Sequence, residues 1–291
     1  MLKGIIIKGV GGFYYVKTSE GIIESRARGL FRDENITPLV GDKVNIRISE
    51  EDKTGYIDEI YPRTTQLLRP PVANVSQAVI VMSIKNPDIN TWLLDKFLLM
   101  AEYEKLNVII CFNKSDLSGE KTLSLSEVYK AAGYKVIISS VVESIGIEEL
   151  RNSLDDNITV FAGPSGAGKS SLLNAINPIL KLETGDISNK SKRGKHTTRH
   201  VELINLKEDS YVLDTPGFSS LHLDFIEDEV ELREYFREID KIGKECRFIS
   251  CLHDQEPDCA VKRNVETGNI NKDRYDNYLL LLKEIKSNRR Y

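Results

Sequence analysis

The chain is short of several things, and each shortage excludes a class of protein. Four cysteines in 291 residues are too few for a disulfide-built secreted scaffold. No apolar run approaches the ~20 residues that a membrane-spanning helix needs. The opening MLKGIIIKGVGG has only a short apolar stretch, cut by glycines, and does not resemble a secretory signal. The cytoplasm is therefore the expected compartment, with no membrane as partner. There is also no excess of positive charge: 40 basic residues stand against 44 acidic ones, for a net charge of −4. Any contact with nucleic acid has to come from local patches rather than from a basic chain. Internal repeats and low-complexity segments are absent. What is present is 41% hydrophobic and 29% charged residues, enough for packed cores, over a length that suits two or three domains.

Three regions differ in pattern. Residues 1–68 carry five short apolar or alternating runs, GIIIKGV, FYYVKT, GIIESRA, DKVNIRI and TGYIDEI, separated by Gly, Asp and Asn turns. Five strands in so short a span predict a small β-barrel of the OB type, with an SH3-like barrel as the alternative. Basic and acidic residues balance there. Phe13, Tyr14, Tyr15 and Tyr56 either stack on bases or pack on the barrel. RPPVANV at 69–75 predicts an extended linker. From 69 to 222 apolar strands alternate with helical periods. QAVIVMS, NVIICF, YKVIIS and ITVFA read as strands, NTWLLDKFLLMAEYE as an amphipathic helix, and VELINL with SYVLDT as a hairpin. Six strands with interleaved helices predict a doubly wound α/β domain. Residues 223–291 read as mainly helical, with DEVELREYFREI and NKDRYDNYLLLLKEIKSNRR as helices. So small a core needs a staple.

The chemistry sits in a few motifs. GPSGAGKS at 163–170 matches the phosphate-loop pattern and follows a strand and precedes a helix, as that loop requires. Gly163, Pro164, Ser165, Gly166, Ala167 and Gly168 would turn backbone N–H groups toward phosphate oxygens at a helix N-terminus. Lys169 would reach the β- and γ-phosphates and Ser170 would hold Mg2+, and Ser171 is counted with the nucleotide-binding residues. NKSD at 113–116 ends a strand, where ligands bind in open α/β sheets. Asp116 would accept the ring N–H and the exocyclic amine of guanine. Adenine places an acceptor there, which would leave the carboxylate facing an unpaired acceptor. Asn113 would hold the neighbouring loop and the Lys114 stem would cover the base, and Ser115 is counted with the nucleotide-binding residues. Ser139 and Ser140, in ISS after a strand, occupy the last guanine-facing loop. In DTPGF at 214–218, Asp214 would hold Mg2+ through water and Gly217 would offer its N–H to the γ-phosphate. Between these loops, SKRGKHTTRH at 191–200 is basic and polar. Thr198, with Thr197 as the alternative, would close on Mg2+ and the γ-phosphate. Lys190, Lys192, Arg193, Lys195 and Arg199 either touch RNA phosphates or are simply solvated. Bound GTP or GDP is the expected ligand.

Cys246, Cys251, His253 and Cys259 read C-x4-C-x-H-x5-C. Three thiolates and one imidazole complete a tetrahedral shell with no open position, which suits one structural Zn2+.

The motif order is base reader, last loop, phosphate loop, switch, DTPG. An ordinary GTPase starts at the phosphate loop, so this is a circularly permuted GTPase domain, a rearrangement that close chain ends permit. The segment after DTPG then runs into the Cys/His region instead of the sheet.

On NKSD, GPSGAGKS, GKHTTRH, DTPGF and the C/C/H/C cluster together, the whole chain resembles the RsgA (YjeQ/YloQ) family, circularly permuted GTPases of late small-subunit maturation. The resemblance implies three domains: an OB-fold barrel at 1–68, a permuted P-loop GTPase domain at 69–222 and a zinc-binding helical domain at 223–291. It implies that barrel and zinc domain bind rRNA, that the 30S subunit is the partner and stimulates GTP hydrolysis, and that the free chain is monomeric. It also implies that His196 orients the attacking water, because Phe218 stands where Ras-like enzymes carry a glutamine. His196, Lys169 and Thr198 are then the catalytic set. A non-catalytic RNA-binding scaffold with a vestigial nucleotide site, and a permuted GTPase of the large subunit, are the alternatives.

Overall fold

The computed structural model describes all residues except 30, 32–35, 51–52, 69, 183–200, 214–222 and 289–291. Near the N-terminus, β1 (Leu2–Val10), β2 (Phe13–Thr18), β3 (Gly21–Ala27), β4 (Lys43–Ile48) and β5 (Gly55–Ile60) close into a barrel in the order β1-β2-β3-β5-β4. All five coincide with the runs that alternation predicts. Neighbours pair antiparallel except β3 with β5, which are parallel. That closure decides for the OB type over the SH3-like alternative. Ile6, Val16, Val44, Ile46 and Ile57 are fully buried; the period-two pattern turns them inward. Phe13, Tyr14, Tyr15 and Tyr56 are half-buried. The Arg26 guanidinium lies 4.7 Å from the centre of the Phe13 ring.

The segment expected to be an extended linker is structured instead. Gln66–Leu68 (β6) and Pro71–Ala73 (β7) pair as a short antiparallel hairpin. Val72, Ala73 and Val75 are fully buried. Their apolar surface outweighs the local signal of the two prolines.

Six further strands form one sheet: β8 (Gln77–Ser83), β9 (Asn107–Asn113), β10 (Lys135–Ile138), β11 (Ile158–Ala162), β12 (Leu203–Lys207) and β13 (Ser210–Leu213). Their order is β10-β9-β8-β11-β13-β12, with β9/β10 and β11/β13 parallel and β12/β13 an antiparallel hairpin. Every residue of β8 and β11 is buried, as expected of continuous apolar strands covered on both faces. The helices here are α1 (Thr91–Tyr103), α2 (Gly119–Ala131), α3 (Ile147–Ser153) and α4 (Lys169–Ile176). Asn90 caps α1, its side chain accepting the Leu93 N–H at 3.0 Å.

Towards the C-terminus, DEVELREYFREI does not form one helix. A 3₁₀ turn at Glu231–Tyr235 is followed by α5 (Arg237–Gly243). Phe236 between them is extended (φ −115°, ψ 95°) and buries its ring edge-on against Tyr278, with centroids 5.4 Å apart. Two more helices follow, α6 (Ala260–Glu266) and α7 (Lys272–Asn288). The chain divides into two compact units. One comprises the described residues within 1–77, 151–161 and 188–219; the other, those within 78–150, 162–187 and 220–291.

Candidate nucleotide site and metal centre

The phosphate-loop motif and NKSD, fifty residues apart in sequence, meet in the second unit. Gly163 has φ +132°, and a Cβ there would lie 2.1 Å from the Val81 carbonyl oxygen. Gly168 has φ +94°, and a Cβ there would lie 2.3 Å from Nδ2 of Asn113. Both positions therefore require glycine, and the second does so because the base-reading turn is pressed against the loop. Asn113 Nδ2 donates to the Ala167 carbonyl at 2.9 Å. Lys169 and Ser170 open α4, and Ser170 is buried. Lys169 Nζ donates to the carbonyls of Gly163 and Pro164 at 2.7 and 2.8 Å. Burial pulls its pKa down to about 8. Gly166 and Ser165 are exposed, while Pro164 and Ser171 are half-buried.

Ser139 and Ser140 do more than line a loop. Ser139 Oγ donates to Asn113 Oδ1 at 3.1 Å, and Ser140 Oγ donates to Asp116 Oδ1 at 2.6 Å. The Ser115 N–H bonds the Ser139 carbonyl at 3.1 Å. Both serines are fully buried, whereas Asp116 is exposed. They orient the two side chains of NKSD and leave the second carboxylate oxygen of Asp116 open. Lys114 has a left-handed backbone (φ 61°) and its Nζ donates to the Asn86 carbonyl. Asn86 belongs to the loop between β8 and α1, which no motif marks; a backbone carbonyl leaves no residue-type signal.

His196, Thr198, Asp214, Gly217 and Phe218, like Thr197 and the switch cations, lie outside the described residues.

The metal-type cluster is brought together as its spacing predicts. The ligand atoms of Cys246, Cys251, His253 and Cys259 lie within 4.8 Å of one another. Tetrahedral bonds to zinc would place sulfurs about 3.8 Å apart and sulfur about 3.5 Å from nitrogen. Cys246 Sγ is 3.8 Å from Cys259 Sγ, and His253 Nδ1 is 3.5 and 3.4 Å from the same two sulfurs. The residues therefore fit one metal ion, with Nδ1 as the imidazole ligand. Burial lowers the His253 pKa to about 4 and so keeps the ring neutral, as a ligand must be. Three residues that the spacing did not reveal hold the loop. Glu256 accepts the N–H groups of Leu252 and Asp254 at 2.7 and 2.9 Å. Tyr275 and Tyr278 of α7 donate to the carbonyls of His253 and Leu252 at 2.6 and 2.8 Å. No helix among the described residues is long and apolar enough to cross a membrane.

Comparison with known proteins converges on one group. The model described as RsgA GTPase matches residues 60–224, and the one described as RsgA N-terminal domain matches residues 3–57. The chain is 50% identical over 293 residues to the small ribosomal subunit biogenesis GTPase RsgA of Alkaliphilus metalliredigens, with 100% of both chains covered. It is 51% identical to that of Caldanaerobacter subterraneus subsp. tengcongensis, covering 100% of this chain and 98% of the relative. The crystal structure of YloQ, a circularly permuted GTPase, superimposes with a TM-score of 0.83 at 41% identity, covering 99% of this chain and 96% of that one. YjeQ from Thermotoga maritima does so with a TM-score of 0.85 at 36% identity, covering 97% and 98%.

Proposed function

The chain belongs to the RsgA GTPase family and is a GTP-hydrolysing enzyme; from that premise we propose that it acts in late maturation of the small ribosomal subunit, binding rRNA and accelerated by the subunit. The observation that carries the nucleotide part is the seating of Asn113 on Ala167, which joins base reader and phosphate loop into one site.

Asp116 accepts guanine's N1–H and N2 amine, with Ser140 holding the carboxylate in plane. The N–H groups of residues 165–170 face the phosphates. Lys169 exchanges the Gly163 and Pro164 carbonyls for β- and γ-phosphate oxygens. Ser170, Thr198 and, through water, Asp214 are the residues that would hold Mg2+. When bound, that ion neutralises charge on the phosphates. Thr198 and Gly217 close on the γ-phosphate, and His196 orients water in place of a glutamine. Cys246, Cys251, His253 and Cys259 would hold Zn2+, which supplies folding free energy to the C-terminal region. The three-domain division at 68 and 222 and a cytoplasmic, monomeric free state belong to the same reading.

Single-turnover GTP hydrolysis with and without purified small subunits tests it. Alone, the protein should be slow, because Phe218 cannot orient water. A positioning group is worth roughly 100- to 10,000-fold, so small subunits should accelerate hydrolysis on that scale and large subunits should not. His196→Ala should bind GTP and subunits normally yet lose most of the stimulated rate. Equal stimulation by both subunits, or none, refutes the role in small-subunit assembly.

A further inference from the structure

Three of the chain's four cysteines are gathered in the metal-type cluster, and their surroundings differ. Cys251 and Cys259 are only 1% and 3% exposed, and His253 is wholly buried. Cys246 is half-buried, and residues 247–250 after it are exposed. The His253 N–H is directed at the sulfur of Cys251, and the Lys262 N–H at that of Cys259. Such a donor draws charge from a thiolate and blunts it as a nucleophile. Cys246 is thus the thiolate that a small solute reaches. Its Sγ lies 3.8 Å from that of Cys259. The imidazole ligand has little behind it. A metal-bound histidine ordinarily donates its second N–H to a carbonyl or carboxylate, and loss of that partner costs about 10- to 100-fold in metal affinity. Nε2 of His253 is buried and has no hydrogen-bond partner among the described residues. Gly243, at the end of α5, packs against it; a Cβ there would lie 3.1 Å from Nε2. The remaining thiol, Cys111, is wholly buried 3.1 Å from Ser139 Oγ, and burial pushes it up to about 12. It is a spectator to thiol chemistry.

A thiolate held by zinc keeps lone pairs that an oxidant can take, and access decides which one reacts. We propose that Cys246 is an oxidation site, at which hydrogen peroxide turns the metal centre into a Cys246–Cys259 disulfide and expels the ion. The Cys246 thiolate attacks one peroxide oxygen. The O–O bond breaks, hydroxide leaves, and the sulfur becomes a sulfenic acid. The Cys259 thiolate then attacks the Cys246 sulfur, forming the S–S bond and releasing a second hydroxide. Two electrons pass from the two sulfurs to one peroxide, and solvent protons neutralise both hydroxides. The sulfurs start 3.8 Å apart and close to about 2.05 Å. Cys251 and His253 alone are too few to hold the ion. Its loss withdraws the folding free energy that the metal gives to the C-terminal region. Reduction by a dithiol, with Zn2+ present, reverses the change. The inference rests on the zinc reading above and turns that staple into a switch.

The test uses the full chain, with its zinc content measured first by elemental analysis. Hydrogen peroxide is added stepwise. The released ion is read with a chromophoric chelator, free thiols are counted, and disulfides are mapped by mass spectrometry. The expected result is one Zn2+ released and two thiols lost per peroxide consumed, with a linked Cys246–Cys259 peptide. Dimedone, which traps sulfenic acids, should mark Cys246. Dithiothreitol with added Zn2+ should restore metal and thiols together. Cys246→His keeps a fourth ligand while removing the oxidisable sulfur, so it should hold zinc and lose most of the peroxide-driven release. The peptide map of the native chain decides the assignment whether or not that variant folds. Dimedone on Cys251 or Cys259 instead, or a disulfide that omits Cys246 or Cys259, overturns it. A native chain without zinc refutes the metal reading and the switch together. A chain that holds zinc, and keeps it and its thiols under excess peroxide, overturns the switch alone.

Discussion

At the residue scale the specificity rests on one carboxylate and the hydroxyl behind it. Ser140 donates to Oδ1 of Asp116. In Asp116→Asn the amide oxygen can keep that bond, which turns the NH2 toward the base. That donor complements the C2 carbonyl of xanthine and repels guanine's amine. A hydrogen bond to a charged group is worth ~1.5–3 kcal/mol. GTP affinity should therefore fall roughly 10- to 100-fold while XTP affinity rises, read in a competition assay; an unchanged GTP preference would remove Asp116 from the base site. Lys169 supplies a second residue-scale prediction. Without ligand its pKa is lowered to about 8 by burial. Above pH 8 the free site holds a neutral amine, yet phosphates need the ammonium, so binding there takes up a proton. GDP affinity should fall about tenfold per pH unit above 8, towards the higher pKa of the complex. Calorimetry in two buffers of different ionisation heat should show the proton uptake; a GDP affinity flat from pH 7.5 to 9.5 contradicts it.

At the scale of elements, one arginine ties three helices of the second unit together. Arg274 of α7 bonds Asp95 of α1 and forks onto both carboxylate oxygens of Glu238 in α5. Asn277 supports it, donating to the other Asp95 oxygen at 2.7 Å. Arg274 and Asp95 are almost wholly buried. Burial, with a smaller push from the Glu238 charge, raises the Asp95 pKa to about 6 against the pull of the guanidinium. Removing one partner of a buried pair leaves the other charge uncompensated, at ~3–5 kcal/mol. Arg274→Met should lower stability by about that amount in urea unfolding. Asp95→Leu in the same chain should recover part of the loss, because the more deeply buried of the two carboxylates left without the guanidinium is then gone while Glu238 remains. A loss below ~1 kcal/mol in the single variant would show that the network is not structural. The apolar cluster around it mixes Leu99 of α1 with Phe236, Ile239, Tyr278 and Leu282. The thin core expected for the C-terminal residues is therefore enlarged by a helix lying more than a hundred residues earlier in sequence.

For the whole molecule, much was legible in the sequence because the signals were local. Alternation marked all five barrel strands, and continuous apolar runs marked β8, β9 and β11 to within a residue. The glycines of GPSGAGKS are demanded by positive φ at Gly163 and Gly168, a property of those positions alone. The cysteine and histidine spacing determined the metal-type cluster, since a short loop can only fold its ligands inward. The inverted motif order also determined the circular permutation, which the fold shares with YloQ. The tertiary structure decided the rest, for a common physical reason: these features join residues that no local period connects. It closed β3 against β5, which selected the OB barrel, and buried Val72 and Val75 where two prolines read as a linker. It turned Ser139 and Ser140 from loop residues into the partners of Asn113 and Asp116. It seated Arg274 against Asp95, 179 positions away. Such contacts are made by hydrogen bonds, buried charge and packing between distant elements, which leave no periodic trace in the chain.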